Sequence, residues 1–192
     1  MRLFIGIELP DPLKSSAAAA ATRVRERIAH VATGAQVRWV MPTNLHITIW
    51  FLGDVREPRV EALVASLKEP LDARSFTLRV AGAGAFPQSG APRAIWLGLV
   101  AGREGLLAVH DQLRPRLLPL GFEPEKRQYS PHLTIARVKD VGPPVAEAMR
   151  RVLRETDDDV GECEVLSATL FTSRPTPTGS QYEALLRVLL AR

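Results

Sequence analysis

Two histidine-containing segments in this sequence share a pattern that can do chemistry. The first is HITI, residues 46–49, and the second is HLTI, residues 132–135. Each segment places an imidazole and a hydroxyl two residues apart, and on a β-strand such residues point to the same face. Two convergent imidazoles suit general acid–base catalysis, because an unperturbed pKa of about 6.5 lets one ring be neutral while the other is charged.

The chemistry that fits this pattern best is displacement at phosphorus, which needs a base on one side and an acid on the other. The hydroxyls of Thr48 and Thr134 would donate hydrogen bonds to the non-bridging phosphate oxygens. Zinc binding is the rival interpretation, but the sequence offers no third ligand at short spacing, so we predict no metal. We expect His30, at a helix end, and His110, on the core side of a helix, to be structural.

The two segments belong to a longer internal repeat. Aligned on their histidines, residues 46–58 and 132–144 share six identities: His46/His132, Thr48/Thr134, Ile49/Ile135, Asp54/Asp140, Val55/Val141 and Pro58/Pro144. A lone His-x-Thr on a strand is usually a structural histidine with a satisfied hydrogen bond. A duplicated one predicts two lobes related by an approximate two-fold axis, with the two histidines meeting near that axis.

The elements that position the segments follow from hydrophobic periodicity and from Pro and Gly. Besides the two histidine strands, the pattern predicts strands over 2–9, 37–41, 76–86, 94–100, 163–172 and 181–190. It predicts helices from Asp11 to Gly34, from Pro58 through Leu71, over 104–118 and over 144–154. We expect Pro115 to kink the third helix or end it early.

The chain is predicted to form one bilobal domain over residues 1–192. The sequence repeats span roughly 1–86 and 94–172, a closing strand covers 180–190, and PQSGAPR at 87–93 marks the lobe boundary.

Composition is that of a soluble globular protein, with 192 residues, 46% hydrophobic and 24% charged. The net charge of +4 comes mostly from arginine, which mildly favours a phosphate-bearing partner, although solubility explains it equally well. A single cysteine excludes an intramolecular disulfide and a thiolate metal cluster. No apolar stretch approaches the ~20 residues of a membrane helix, and the N-terminal apolar run is too short for a signal peptide, so we expect a cytoplasmic protein.

The segments RLFIGIELP, NLHITIWFLGDV, AIWLG and PHLTIAR, in this order and spacing, resemble the two-histidine (2H) phosphoesterase superfamily. Within it the sequence is similar to the RNA 2′,3′-cyclic phosphodiesterases, also called 2′-5′ RNA ligases, over nearly the whole chain. The resemblance implies an α+β fold, a bilobal pseudo-two-fold duplication in which antiparallel sheets line a central groove with helices outside.

The resemblance also implies a reaction and a site. The enzyme would open RNA 2′,3′-cyclic phosphate ends to 2′-phosphomonoesters without metal or cofactor, with His46 as proton donor and His132 as proton acceptor. Thr48, Thr134 and Arg137 would bind the phosphate. The implied partner is RNA with cyclic phosphate ends, tRNA fragments among the candidates, and we expect a monomer that does not bind membranes.

Several alternatives stay open at this stage. Strand alternation from His132 puts Arg137 on the opposite face, so it needs a bulge or a strand end to reach the phosphate, and otherwise it is an exposed salt-bridging arginine. The same site would suit another cyclic phosphate, a 2′-5′ linked nucleotide or reversible 2′-5′ RNA ligation. A non-catalytic RNA-binding module is the rival from another class. The symmetry of the repeat does not distinguish the acid from the base.

Overall fold

A computed structural model describes residues 1–177 and 179–192 of the chain. It contains ten strands and four helices among those residues. In chain order they are β1 (Arg2–Glu8), α1 (Asp11–Ala29), β2 (Gln36–Trp39), β3 (His46–Asp54), α2 (Glu57–Ser66), β4 (Leu71–Arg74), β5 (Phe76–Phe86), β6 (Ala94–Ala101), α3 (Arg103–Leu117), β7 (Leu133–Lys139), α4 (Pro143–Arg154), β8 (Asp159–Val165), β9 (Ser167–Thr176) and β10 (Gly179–Ala191).

The strands form two five-stranded sheets. The first sheet has the order β3-β1-β9-β10-β4, and the second has the order β2-β7-β6-β5-β8. All neighbours are antiparallel except β10 and β4, which run parallel. The pair β1–β3 in the first sheet matches the pair β6–β7 in the second, which confirms the predicted α+β class and the duplication. No helix in the described part of the chain is long and apolar enough to cross a membrane.

Each sheet draws on both halves of the sequence. Helix α1 follows a strand of the first sheet, yet it packs against β8 and α4 beside the second sheet. Helix α3 follows a strand of the second sheet and packs against β3 and β4 of the first. Strand β2 pairs with β7, and the chain then crosses to the first sheet to begin β3. The two sheets are therefore interlocked through their connections.

One continuous hydrophobic core lies behind both histidine strands. Ile47, Ile49, Leu133 and Ile135 are all buried in it. Helix α1 contributes a buried stripe of residues at helical spacing, Leu13, Ala17, Ala20, Val24 and Ile28. This burial fixes the strand faces, because a one-residue slip would bring the aliphatic side chains to the groove and bury the histidines.

The structure differs from the sequence predictions at several element boundaries, among them the end of α1, which lies at Ala29 rather than at Gly34. The second helix ends at Ser66, and Leu71 lies in β4, because Pro70 interrupts the helix and Leu71 is buried against β10. The third helix continues past Pro115 to Leu117, since buried leucines on both sides of the proline hold the last turn in place. The predicted strand over 163–172 is two strands, β8 and β9, separated at Leu166.

Candidate active site

The two histidine motifs face each other across a groove between the sheets. His46 is the first residue of β3, the edge strand of the first sheet. His132 immediately precedes β7, which lies one strand in from the edge of the second sheet. Strands β3 and β7 contact each other, and the two imidazoles are near enough for the charge of His132 to act on His46. The fold thus brings together two histidines 86 positions apart in the chain.

A β-bulge occurs at the same place in both motifs. In the ladder of β3 with β1, Trp50 and Thr48 pair with consecutive residues, so Ile49 is the extra residue. In the ladder of β7 with β6, Ala136 and Thr134 pair with consecutive residues, and the extra residue is Ile135. A bulge of this kind shifts the alternation by one, so residues beyond it change face.

The bulge at Ile135 resolves the orientation of Arg137. Beyond the bulge Arg137 lies on the same face as His132 and Thr134, although its offset of five is odd. Its guanidinium is exposed, and its positive charge acts on both histidines. The residue at the equivalent position of the first motif is Phe51, which is exposed and carries the Arg2 guanidinium 5.0 Å from its ring centroid.

Both imidazoles are oriented by backbone carbonyls two residues upstream. The Nδ1 atom of His46 lies 2.7 Å from the carbonyl oxygen of Asn44, and Nδ1 of His132 lies 2.7 Å from that of Ser130. A carbonyl oxygen can only accept, so each Nδ1 carries a proton and donates it. In the neutral rings the Nε2 atoms are therefore the basic ones, and this is the tautomer that acid–base catalysis at Nε2 requires.

The two motifs differ at Nε2. His46 Nε2 lies 3.0 Å from the Thr48 hydroxyl oxygen, so the hydroxyl donates to a neutral ring and accepts from a charged one. His132 Nε2 has no hydrogen-bond partner within residues 1–177 and 179–192. Thr134, half-buried and paired opposite Trp96, lies on the same face as His132. His46 and Thr48 thus lie on one face of β3, and His132, Thr134 and Arg137 lie on one face at β7, where the two strands contact each other.

Burial lowers the pKa of both imidazoles below the usual value, because it removes water from the charged form. The backbone carbonyls of Asn44 and Ser130 oppose this by accepting from the ring, and the positive charge of Arg137 adds to it. For His46 the charge of His132 lowers the pKa further. For His132 the carboxylate of Glu125 raises it.

Aromatic side chains surround both rings. Phe4 lies 4.7 Å from His46 between ring centroids, and Tyr182 meets the same ring edge-on at 5.1 Å. On the other side Phe86 meets His132 edge-on at 4.9 Å and also contacts Trp96. The sequence places Phe4 and Trp96 at equivalent positions of the two opening strands, LFI at 3–5 and IWL at 95–97. It gave no signal for Tyr182 or Phe86, which lie on strands distant in sequence.

A third aromatic group supports the first motif from behind the groove. His110 stacks between Trp50 and Tyr129, with ring centroids 4.8 and 4.7 Å away. The Tyr129 hydroxyl donates to the Thr48 carbonyl oxygen at 3.0 Å. Tyr129 therefore connects the segment leading into His132 with the strand that carries His46. Across the described residues no group of three or more His, Cys, Asp or Glu side chains is placed to hold a metal ion.

Comparison with known proteins gives a consistent family. The model of the LigT-like phosphoesterases matches twice, at residues 12–96 and 97–182. The RNA 2′,3′-cyclic phosphodiesterase of Aeropyrum pernix is 37% identical over 170 residues, 88% of this chain and 94% of the relative. The protein of the same name from Archaeoglobus fulgidus is 33% identical over 96% of this chain and 98% of its own length.

Solved structures show the same fold. TT0787 of Thermus thermophilus superposes with a TM-score of 0.76 at 28% identity, covering 98% of this chain and 97% of that one. Escherichia coli LigT complexed with 3′-AMP superposes with a TM-score of 0.67 at 26% identity, covering 100% and 98% of the two chains.

Proposed function

This chain belongs to the LigT-like phosphoesterase family, and on that basis we propose that it is an RNA 2′,3′-cyclic phosphodiesterase that leaves a 2′-phosphomonoester. The observation that carries the proposal is the pair of imidazoles facing one groove, each with Nδ1 donating to a backbone carbonyl. That arrangement leaves both Nε2 atoms for proton transfer. The substrate is RNA ending in a cyclic phosphate, tRNA fragments included, and the enzyme is one bilobal domain acting as a cytoplasmic monomer.

The reaction needs one proton removed and one proton supplied. A water oxygen attacks phosphorus while the bond from phosphorus to the 3′ oxygen breaks. His132 Nε2 accepts the proton of the water, and His46 Nε2 donates a proton to the departing 3′ oxygen. With the 5′-hydroxyl of another RNA end in place of water as the nucleophile, the same steps join the two ends through a 2′-5′ bond.

Arg137 and the two threonine hydroxyls act on the phosphate itself. Charge builds up on the non-bridging oxygens as the bond to the 3′ oxygen breaks, and positioned donors stabilise it. The same phosphate charge favours the protonated form of an imidazole and so opposes the burial that lowers the pKa of His46 in the free enzyme. Substrate binding thereby charges the acid. No step requires a metal ion to generate the nucleophile, and we therefore propose metal independence.

The test uses a short RNA with a 2′,3′-cyclic phosphate end, incubated with excess EDTA. Chromatography separates the 2′-phosphate from the 3′-phosphate product. We expect only the 2′-phosphate from the wild type, and a loss of about 10²–10⁴-fold in kcat for His46→Ala and for His132→Ala. His30→Ala, at the exposed end of α1, is the matched control and should retain full activity.

Three results would overturn parts of this proposal. Formation of the 3′-phosphate would refute the regiochemistry. Loss of activity in EDTA would refute metal independence. Tight RNA binding by the wild type and both histidine variants, with no turnover, would make the protein a binding module rather than an enzyme.

A further inference from the structure

A row of positive charges extends from the two-histidine groove along strands β2 and β7. Its members are Arg38, Arg137 and Lys139, all exposed, and we refer to them as the β2–β7 strip. Arg38 pairs directly with Arg137 in the antiparallel ladder, and Lys139 pairs with Gln36. Directly opposed residues share a face, as do residues two apart on one strand, so the three cations lie on one surface.

That surface is the groove face. Because of the bulge at Ile135, Arg137 lies on the same face as His132 and Thr134. Arg38 and Lys139 lie on the same side, and Lys139 is about 6.6 Å further along β7 at ~3.3 Å per residue. Strand β2 is the edge of its sheet, so the strip reaches the open margin of the groove.

The arrangement is unfavourable for the fold alone. Like charges directly opposite each other on neighbouring strands repel and destabilise the sheet. None of the three cations has a carboxylate within ion-pair distance in the described part of the chain, whereas arginines elsewhere, such as Arg79 and Arg187, do have such partners. A polyanion lying along the strip would supply the missing negative charge.

We propose that the β2–β7 strip binds the backbone phosphates of the nucleotides 5′ of the cyclic end, so that the preferred substrate is an RNA oligonucleotide rather than a cyclic mononucleotide. The proposal rests on the phosphodiesterase function proposed above. A 2′,3′-cyclic phosphate occupies the 3′ terminus, so the rest of the RNA chain lies wholly on its 5′ side. Arg137 serves the reacting phosphate, and Arg38 and Lys139 serve those that follow.

The experiment compares two substrates, a ten-nucleotide RNA ending in a 2′,3′-cyclic phosphate and the corresponding cyclic mononucleotide. The variant is Arg38→Ala/Lys139→Ala. The matched control is Arg25→Ala/Lys68→Ala, which removes the same charge from exposed positions on α1 and after α2. We expect the strip variant to raise the KM for the oligonucleotide about tenfold with kcat unchanged. The variant loses two phosphate contacts, and each contact contributes ~0.7 to the slope of log KM against log salt for a single strand. That slope should therefore become shallower by about 1.4.

The cyclic mononucleotide distinguishes a failure of the strip proposal from a failure of the proposed function, because it has no further backbone phosphates for the strip to bind. We expect its kcat and KM to be unchanged in both double variants. Equal KM for the oligonucleotide in wild type and strip variant, or an equal rise in the control variant, would overturn the strip as a binding surface. Absence of turnover of both substrates by the wild type would instead overturn the proposed function. Thermal unfolding at low salt gives a second readout, because removing the opposed charge should raise the midpoint of the strip variant.

Discussion

The two histidine motifs have nearly the same backbone and different surroundings. In both, Nδ1 donates to the carbonyl two residues upstream, and an isoleucine three residues after the histidine forms a bulge. His46, however, is packed by Phe4 and Tyr182 and bonded to Thr48, whereas His132 has Phe86 beside it and the charge of Glu125 nearby. The features that orient the rings are duplicated, and burial and the charge of Arg137 lower the pKa of both, whereas the aromatic neighbours, the bond at Nε2 and the charge of Glu125 differ.

This difference indicates how a symmetric repeat can perform an asymmetric reaction. Orientation of an imidazole is needed equally by an acid and by a base, so the repeat preserves it in both motifs. We infer that the roles follow from neighbours outside the two histidine segments 46–58 and 132–144, such as Tyr182 on β10 and Glu125 in the loop before β7. Matched pairs of variants at equivalent positions of the two motifs test whether orientation is shared while the neighbours set the roles.

The largest expected difference lies five residues after each histidine, where one motif has Arg137 and the other has Phe51. We predict that Arg137→Met lowers kcat/KM by about 10³-fold, because a charge-assisted donor to the phosphate is lost. Phe51→Met should change kcat/KM by less than about twofold. Steady-state kinetics on the cyclic-phosphate RNA measures both.

Arg137→Met should also change the pH dependence. The guanidinium lowers the pKa of both histidines, so its removal raises both, and the acidic limb of kcat/KM moves to higher pH. Comparable losses in the two methionine variants would show that the groove is symmetric at this position and would contradict the comparison. An unmoved acidic limb would place the guanidinium too far from the rings to influence them.

Arg137 also shows what the sequence could and could not predict. Period-two alternation correctly put His132 and Thr134 on one face, but it put Arg137 on the other unless a bulge intervened. The bulge at Ile135 arises from pairing with β6, a strand more than thirty residues upstream, so local periodicity contains no trace of it. The duplication was predictable because the two motifs and their flanking elements recur in the sequence, and the α+β class was implied by the resemblance to the 2H phosphoesterases.

The interlocking of the two sheets was not predictable either, because it also depends on pairing between strands that are distant in sequence. Nothing local distinguishes β2, which joins the sheet of β7, from a strand that would pair with its neighbour β3. Leu71 was assigned to a helix because its spacing from Leu67 is helical, yet its contact with β10, at the far end of the chain, makes it a strand residue. The hydrogen bonds from Nδ1 to backbone carbonyls were likewise not predictable, because every residue type carries a backbone carbonyl.

The second matched pair changes the hydroxyls. We predict that Thr134→Val lowers kcat about 10²-fold by removing one donor to the phosphate. Thr48→Val should lower it further, because the His46 Nε2 atom also loses its hydrogen-bond partner. The ¹⁵N chemical shift of His46 Nε2 should move in Thr48→Val, and that of His132 Nε2 should stay constant in Thr134→Val. If the Nε2 shifts of both rings move, or neither moves, the proposed difference in hydrogen bonding at Nε2 between His46 and His132 is wrong.

A smaller effect, on stability, is expected at the Tyr129 hydrogen bond that connects the two motifs. Tyr129→Phe removes the hydrogen bond to the Thr48 carbonyl, and we predict a loss of about 1 kcal/mol in the free energy of unfolding, measured by urea denaturation. Tyr182→Phe is the matched control. The Tyr182 hydroxyl has no hydrogen bond to any described residue, and its ring contacts with Phe4 and His46 are retained. Equal stability of the two variants would show that the Tyr129 bond contributes nothing net.

The smallest expected effect tests which histidine is the acid and which is the base, a question that the repeat in the sequence leaves open. The carboxylate of Glu125 raises the pKa of His132 and is not among the groups that shift His46. Glu125→Gln should therefore lower the pKa of His132 alone, so a base at this position stays deprotonated to lower pH and the acidic limb of kcat/KM moves downward. Glu123→Gln, in the same exposed loop, should leave the profile unchanged. If the basic limb moves instead, His132 is the acid, and the burial and aromatic packing of His46 serve to keep the base neutral.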